Sequence, residues 1–218
     1  MSKQAVIAGA TGLVGSKLLA LLLNDNYYSK IISVSRAKIG ITHPKLIQII
    51  TPFENIDKIS NKLQGEDIFI CLGSTMKKAG TKELFYRYDH DYPLLFAKLC
   101  LNNGANHLSL VSALGANSTS LIFYNQVKGK LESAICNLGY NSVAIFRPSL
   151  LLGKRKEHRF SEILAQQLFT SLRWLFHGPI KKYRGIESNT VALAMLKIAK
   201  NSKNGYEIYE SNQIEAIA

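Results

Sequence analysis

Several features are scarce in this 218-residue sequence, and each absence excludes a class of protein. The three cysteines are far apart and form no C-x-x-C pair, which favours reduced thiols and predicts a cytoplasmic protein. No apolar run approaches the ~18 residues that a membrane-spanning helix needs. No internal repeat or low-complexity tract occurs, and 47% hydrophobic with 19% charged residues is the composition of a globular chain.

Acidic residues are also few, 15 against 27 lysines and arginines, so the formal net charge is +12. Such a balance can mark a nucleic-acid-binding protein. The basic residues are mostly dispersed, however, and the two clusters at residues 154–159 and 181–184 lack interleaved aromatic residues. The sequence therefore predicts neither a nucleic-acid partner nor a metal site.

The stretch at residues 5–23, AVIAGATGLVGSKLLALLL, contains an apolar strand, a glycine turn and a leucine-rich helix. Gly9, Gly12 and Gly15 have the spacing of a dinucleotide-binding turn, in which glycines allow the reversal, the close approach of a pyrophosphate and tight helix–strand packing. An ordinary β–α turn would also tolerate these glycines. The amides expected to face the phosphates at the helix N-terminus are those of Thr11, Gly12, Leu13 and Val14.

The second strand, at residues 30–35, ends in Ser35 and Arg36. Folds that prefer NAD have an acidic residue near this position, where it binds the ribose 2′-hydroxyl. A hydroxyl and a guanidinium suit a 2′-phosphate instead, so the sequence favours NADP(H) over NAD(H). The alternative is that Arg36 is an ordinary surface arginine.

Strand and helix patterns alternate along the rest of the chain, which predicts an α/β fold: a Rossmann-type doubly wound parallel sheet with helices on both faces and a small C-terminal cap. Further strands are expected at 46–50, 67–72, 107–112, 142–147 and 205–209, and helices at 56–63, 81–103, 124–138, 161–176 and 189–200. We expect one domain over 1–218, to which 154–218 contributes the cap and the last helix and strand. Cys71, Leu72 and Gly73 end a central strand, where their backbone is expected to line the cofactor ribose.

A second group of candidate residues begins where the strand at 107–112 ends. Ser112 is followed by Tyr124 and Lys128, which lie one helical turn apart on the same helix face. An ammonium within ~4–6 Å can lower a phenol pKa by one to three units, which suits a tyrosine for proton transfer. We expect Ser112 to hold a substrate oxygen while Tyr124 delivers or removes its proton. A tyrosine at this spacing is also common as a half-buried aromatic residue.

The chain resembles the atypical branch of the short-chain dehydrogenases/reductases, and more narrowly its Tat-interacting-protein-like group. The resemblance rests on GATGLVG, ICLGSTMKKAG at 70–80, the YDHDY stretch at 88–92, VSALGA at 111–116, YNQVKG at 124–129 and FRPSLLLG at 146–153. It implies a Rossmann fold, NADP(H), Tyr124 as proton donor, Lys128 between cofactor ribose and tyrosine, and Ser112 orienting the substrate carbonyl. The third strand of the family commonly ends in an aspartate that contacts adenine, where this chain has Thr51 and Pro52.

The strand at 142–147 exits through Arg147 and Pro148, which we expect at the nicotinamide end of the cofactor. Arg155 and Arg159 follow, and they could bind an anionic substrate or pair with Glu157 to hold a lid. The apolar stripe at 161–176 is interpreted as the core of the cap, although it could also contact a membrane surface or a partner.

Together these features predict an NADP(H)-dependent oxidoreductase that transfers hydride between nicotinamide and a small carbonyl or alcohol. One alternative is a non-catalytic NADPH-sensing protein that acts through partners at its cap, and a homodimer is also compatible with the sequence. A nucleotide-sugar epimerase or dehydratase is less favoured, because residues 148–218 are too few for the larger sugar-binding lobe.

Overall fold

The computed structural model describes residues 2–153 and 184–218. The strands are β1 (Lys3–Ala8), β2 (Tyr28–Ser35), β3 (Leu46–Ile50), β4 (Asp67–Ile70), β5 (His107–Val111), β6 (Ser142–Arg147), β7 (Leu151–Leu152), β8 (Ile186–Glu187) and β9 (Gly205–Glu210). The α-helices are α1 (Leu13–Asn24), α2 (Met76–Ala79), α3 (Lys82–Tyr86), α4 (Tyr92–Asn102), α5 (Phe123–Cys136), α6 (Ser188–Lys200) and α7 (Ser211–Ile217).

Seven strands form one sheet in the order β3-β2-β1-β4-β5-β6-β9, and every neighbouring pair is parallel. The strand order reverses between β1 and β4, and ligands of open α/β sheets bind at the carboxyl ends of the strands at such a switch point. The predicted Rossmann-type fold is therefore confirmed. β7 and β8 pair separately beside the main sheet.

Helices cover both faces of the sheet because its central strands are apolar on both sides. In β1, Ala5 and Ile7 pack with residues of α1 and α6, while Val6 and Ala8 pack with residues of α4 and α5. Fully burying one such aliphatic side chain contributes about 1.5–3 kcal/mol. Because α6 packs against α1 and β9 extends the sheet, residues 188–210 are part of the sheet domain.

The connection between β3 and β4 differs from the expected helix at 56–63. A 3-10 helix spans Phe53–Lys62 and is kinked at Asn55 and Ile59, where φ is −115°. Within it only Phe53 and Ile56 are buried, which is too narrow a contact to stabilise a longer α-helix. The structure also adds α7, which the sequence patterns did not predict, and ends β4 at Ile70 rather than at Leu72.

The helix expected at 81–103 is interrupted in its middle. α3 continues into a π-turn at Arg87–Asp91 and then into α4, with helical backbone angles at Tyr86, Arg87, Asp91 and Tyr92. Pro93 lies in the first turn of α4, although the helical run begins eleven residues earlier, at Lys82. Proline has no N–H for an i−4 carbonyl, so the chain widens and the Tyr92 N–H donates to the Arg87 carbonyl.

Some predictions fall on residues outside the described part of the chain. These are the basic cluster with Arg155 and Arg159, and the apolar stripe at 161–176. Among the described helices, none combines the length and the apolar character needed to cross a bilayer. Cys71, Cys100 and Cys136 are all free thiols.

Candidate active site at the carboxyl edge of the sheet

The glycine turn joins β1 to α1 at the switch point of the sheet. Gly9 has φ +86°, and a Cβ there would lie 2.5 Å from the Cys71 carbonyl oxygen, so only glycine fits. A Cβ on Gly15 would lie 2.1 Å from the Gly9 oxygen, which explains the close packing of helix on strand. The Gly12 N–H donates to the Gly9 carbonyl at 2.9 Å, inside the turn. Of the four amides expected to face phosphates, those of Thr11, Leu13 and Val14 remain candidates.

Ser35 and Arg36, at the end of β2, differ in exposure: the serine is buried and the arginine is exposed. Ser35 is buried and its hydroxyl donates to the Ala37 carbonyl at 2.7 Å, so this proton is not directed at a ligand. Arg36 is exposed. The pKa of Glu54 is lowered by its own backbone amide, by the nearby Tyr92 hydroxyl and by the guanidiniums of Arg36 and Arg87. Glu54 and Arg87 therefore accompany Arg36 here, and the sequence patterns identified neither.

The chain leaves β4 beside the glycine turn. The Cys71 N–H donates to the Ala8 carbonyl at 2.9 Å, and its own carbonyl faces Gly9. Burial raises the pKa of the Cys71 thiol to about 12, so the thiol is not ionised at neutral pH and does not act as a nucleophile. Leu72 and Gly73 follow, and a Cβ on Gly73 would lie 3.7 Å from Lys128 Nζ.

One face of α5 presents Tyr124, Lys128 and Glu132 on successive turns. The Tyr124 ring packs against Phe85, with ring centroids 5.6 Å apart and planes tilted by 42°. Lys128 Nζ lies 2.7 Å from Asp89 Oδ1, and the two side chains are 4% and 0% exposed. The predicted alignment of Tyr124 with Lys128 is thus present, and the structure adds Asp89 as the partner of the lysine.

The charge of Lys128 depends on this ion pair. Burial acts to lower the pKa of the amine, but the Asp89 carboxylate, together with Tyr124 and Glu132, outweighs it and raises the pKa above its usual value. The side chain is therefore an ammonium at neutral pH. An ammonium has three N–H donors, which it can share among Asp89, a tyrosine oxygen and ligand hydroxyls.

A second buried network joins Ser112, Glu132 and Arg147. The Ser112 hydroxyl donates to Glu132 Oε1. Arg147 Nε lies 3.1 Å from Glu132 Oε1, and Nη2 lies 2.5 Å from Oε2, an arrangement that raises the pKa of the guanidinium through its hydrogen bonds to Glu132. The Pro148 carbonyl accepts from the Leu114 N–H at 3.0 Å. Ser112 and Arg147, predicted to contact substrate and cofactor, are thus both bonded to Glu132.

Ser112 has one hydroxyl proton, and Glu132 accepts it, so the serine can receive a hydrogen bond from a ligand but does not donate one in this arrangement. Glu132 could have been identified from its i+4 spacing after Lys128. Asp89 lies in the YDHDY stretch, but its contact with Lys128 could not be identified from spacing, because it belongs to another helical segment. Within residues 2–153 and 184–218, no three His, Cys, Asp or Glu side chains gather as a metal site.

A seven-stranded parallel sheet, a glycine turn at its switch point and a helix with aligned tyrosine and lysine define the Rossmann-type class of short-chain dehydrogenases/reductases. Protein HTATIP2 of Rattus norvegicus is 37% identical to the chain over 175 residues, which cover 78% of the chain and 72% of that protein. Protein fmp52 of Emericella nidulans is 30% identical over 212 residues, covering 94% and 90%. The chain therefore belongs to the atypical short-chain dehydrogenases/reductases related to HTATIP2.

Solved structures agree on the fold. MoeE5 in complex with UDP-glucose and NAD has a TM-score of 0.72 at 14% identity, with 97% of this chain and 79% of that chain covered. A short chain dehydrogenase family protein of Francisella tularensis has a TM-score of 0.69 at 13% identity, with 98% and 99% covered. At these identities the likeness concerns the fold alone. No family model matches the chain.

The expectation of a cytoplasmic protein is contradicted by the fungal relatives. The FMP52 proteins of Candida albicans, Emericella nidulans and Candida glabrata are all named as mitochondrial. Reduced thiols do not distinguish the two compartments, which is why the cysteine argument was insufficient.

Proposed function

We propose that this protein is an NADP(H)-dependent oxidoreductase that reduces a small carbonyl compound or oxidises the corresponding alcohol, and that it works in the mitochondrion like its fungal relatives. The main support is the position of the Lys128 ammonium, buried on Asp89 and adjacent to Gly73. In a parallel sheet of this topology a dinucleotide binds at the carboxyl ends of the strands at the switch point, and β4, which Gly73 follows, is one of the two strands at that point.

The proposed cofactor site begins at the glycine turn. The amides of Thr11, Leu13 and Val14 at the start of α1 would bind the pyrophosphate, helped by the positive end of the helix dipole. The backbone of Leu72 and Gly73 would line the nicotinamide ribose, and Lys128 would donate to its hydroxyls. Arg36 would bind the 2′-phosphate that distinguishes NADP from NAD, and Arg87, which also interacts with Glu54, would add positive charge to this region.

The chemistry would be divided between the cofactor and the chain. The bound nicotinamide supplies the hydride. Tyr124 would donate its phenolic proton to the substrate oxygen, while the neighbouring ammonium of Lys128 stabilises the negative charge that then develops on the phenol oxygen. Ser112, whose proton is bonded to Glu132, would accept a hydrogen bond from the alcohol. Arg147 and Pro148 would border the nicotinamide. Arg155 and Arg159 would bind an anionic part of the substrate.

Calorimetric titration with NADPH and with NADH tests the cofactor site directly. We expect NADPH to bind more tightly than NADH, and Arg36→Ser to remove most of that difference, because exposed bidentate phosphate contacts depend on the guanidinium. If neither nucleotide binds the purified protein, the proposal is wrong. If NADPH and NADH bind equally well, and Arg36→Ser changes neither affinity, only the proposed preference for NADP is wrong.

A non-catalytic NADPH-sensing protein is the second candidate function, and the Ser112–Glu132 hydrogen bond favours it. A serine whose proton is held by a buried carboxylate does not donate to a substrate carbonyl, although it still shapes the site. A screen of carbonyl compounds that follows NADPH oxidation separates the two functions. Turnover identifies an oxidoreductase, whereas tight NADPH binding without any turnover supports the sensor.

A further inference from the structure

The Asp89 carboxylate joins three separate segments at the proposed site. Asp89 is fully buried in the π-turn between α3 and α4. One of its oxygens lies 2.7 Å from Lys128 Nζ on α5, and the other accepts the Ser74 N–H at 2.7 Å. Ser74 follows Gly73 in the loop after β4. One side chain thus links the helix with Tyr124 to the loop expected at the cofactor ribose.

The π-turn that positions Asp89 has a local cause. In an uninterrupted α-helix the N–H of residue 93 would bond to the Asp89 carbonyl, but Pro93 has no N–H and its ring would clash there. The Tyr92 N–H bonds to the Arg87 carbonyl instead, and one extra residue enters the turn. The change in helical phase alters the direction of every side chain in the turn, and such π-turns are frequent at functional sites.

Stability alone does not explain a carboxylate at this place. Replacing a buried ion pair by apolar side chains of similar size is often neutral or stabilising, so stability is a weak reason for this pair. A Cβ on Gly73 would lie 3.6 Å from Asp89 Oδ1 and 3.7 Å from Lys128 Nζ, so this loop lies directly over the ion pair. The pair therefore lies next to the surface where the ribose is expected.

We propose that Asp89 is the positioning residue of this site: its carboxylate holds the Lys128 ammonium and the Ser74 amide in the arrangement that receives the ribose of the nicotinamide nucleotide. The inference rests on the proposed function and adds a residue to it. Asp89 acts through Lys128 and the loop, and it touches neither cofactor nor substrate. The other groups acting on Lys128 are Tyr124 and Glu132 of α5, and Glu132 is itself bonded to Arg147 of β6.

Asp89→Asn tests the charge at nearly constant shape, because its amide oxygen can still accept the Ser74 N–H. Asp91→Asn is the matched control, since it removes the same charge from an exposed position of the same turn. NADPH affinity is measured by calorimetry from pH 6 to pH 10. We expect Asp89→Asn to weaken binding about tenfold or more, with the loss increasing as pH rises, and Asp91→Asn to bind like the native protein.

Titration of the lysine side chains by ¹³Cε NMR supplies a readout that needs no ligand. The usual pKa of a lysine side chain, ~10.4, is the reference. In the native protein Lys128 should lose its proton above this pH, because Asp89 outweighs burial. In Asp89→Asn Lys128 should lose its proton below this pH, because burial then acts without the Asp89 carboxylate.

The outcomes separate this inference from the function on which it rests. If the native protein binds no nicotinamide nucleotide, the proposed function fails, and the pH at which Lys128 loses its proton, compared with the usual lysine value, still decides whether Asp89 holds the ammonium. If Asp89→Asn matches Asp91→Asn in affinity and in lysine titration, the assignment of Asp89 is overturned. If Asp89→Asn does not fold, the titration of the native protein decides, and a Lys128 midpoint below the usual lysine value would overturn the assignment.

Discussion

Buried polar side chains occur at both ends of the parallel strands, and they are arranged differently. At the amino end, Asp67 accepts the Tyr28 hydroxyl at 2.7 Å and the Lys3 ammonium at 3.0 Å. His107 bonds through one ring nitrogen to Ser142 and through the other to Ser109, each at 2.9 Å. All of these contacts lie within or between strands.

At the carboxyl end, by contrast, the buried charges lie on α5 and its neighbours and border the glycine turn and the loop at Gly73 and Ser74. The Lys128–Asp89 pair connects α5 to the π-turn between α3 and α4, and the Glu132–Arg147 pair connects α5 to the end of β6. Ligands of this sheet topology bind at this edge. The comparison predicts that changes at the amino end affect stability, and changes at the carboxyl end affect binding and turnover.

The largest effect is expected for Tyr124→Phe at the carboxyl end. Loss of the proton-donating hydroxyl should lower any NADPH-consuming activity by about 10²–10⁴-fold while leaving NADPH affinity and melting temperature unchanged. Steady-state rates measure the activity, calorimetric titration measures the NADPH affinity, and thermal unfolding measures the melting temperature. Tyr206→Phe, at an exposed position of β9, is the control and should retain full activity. Full activity of Tyr124→Phe would remove tyrosine from the mechanism.

At the amino end, His107 should make stability depend on pH. Burial lowers its pKa to about 4 in the folded protein, against an unfolded value near 6.5. The unfolded chain binds the proton more readily, so the free energy of unfolding is highest above pH ~6.5 and falls by about 3 kcal/mol as pH drops toward 4. Urea unfolding across this range measures the slope. In His107→Gln, whose side chain does not titrate, the free energy of unfolding should fall less as pH drops. If its pH dependence equals that of the native protein, the prediction for His107 is wrong.

Tyr28→Phe should destabilise the amino end by a smaller amount. It leaves one Asp67 oxygen without its hydroxyl donor in a fully buried place, which costs about 1–3 kcal/mol. Thermal and urea unfolding give the difference, with Tyr206→Phe again as the exposed control. NADPH affinity should not change. A loss of NADPH affinity at constant stability would show that the two ends are not independent.

The smallest effect is expected for Glu54→Gln near Arg36. Removing an exposed carboxylate that interacts with Arg36 and Arg87 should improve NADPH affinity by about 0.3–1 kcal/mol, because the 2′-phosphate no longer competes with it. NADH affinity should not change, and the gain should shrink in high salt. Calorimetry at two salt concentrations measures this. An equal gain for NADH would place the effect elsewhere than at the 2′-phosphate.

The strands and the glycine turn could be predicted because their signals are local. The apolar run at 142–147 corresponds to β6 residue for residue, and the spacing of Gly9, Gly12 and Gly15 follows from the needs of one turn. The α-helix predicted at 56–63 is a 3-10 helix in the structure. The type of helix depends here on how few of its side chains are buried, which the local pattern does not determine. The helix expected at 81–103 already began upstream of Pro93, but the sequence patterns did not predict the π-turn at Arg87–Asp91.

The sequence by itself determined the alignment of Tyr124 with Lys128 from spacing within one helix, the parallel sheet from alternating strand and helix patterns, and the family from six short motifs along the chain. Only the tertiary structure decided which charges meet those residues. Asp89 reaches Lys128, and Ser112 reaches Glu132, through the packing of separate helices against separate strands. The physical reason is that a buried charge must find its partner in space, and that distance is determined by the whole fold rather than by separation along the chain.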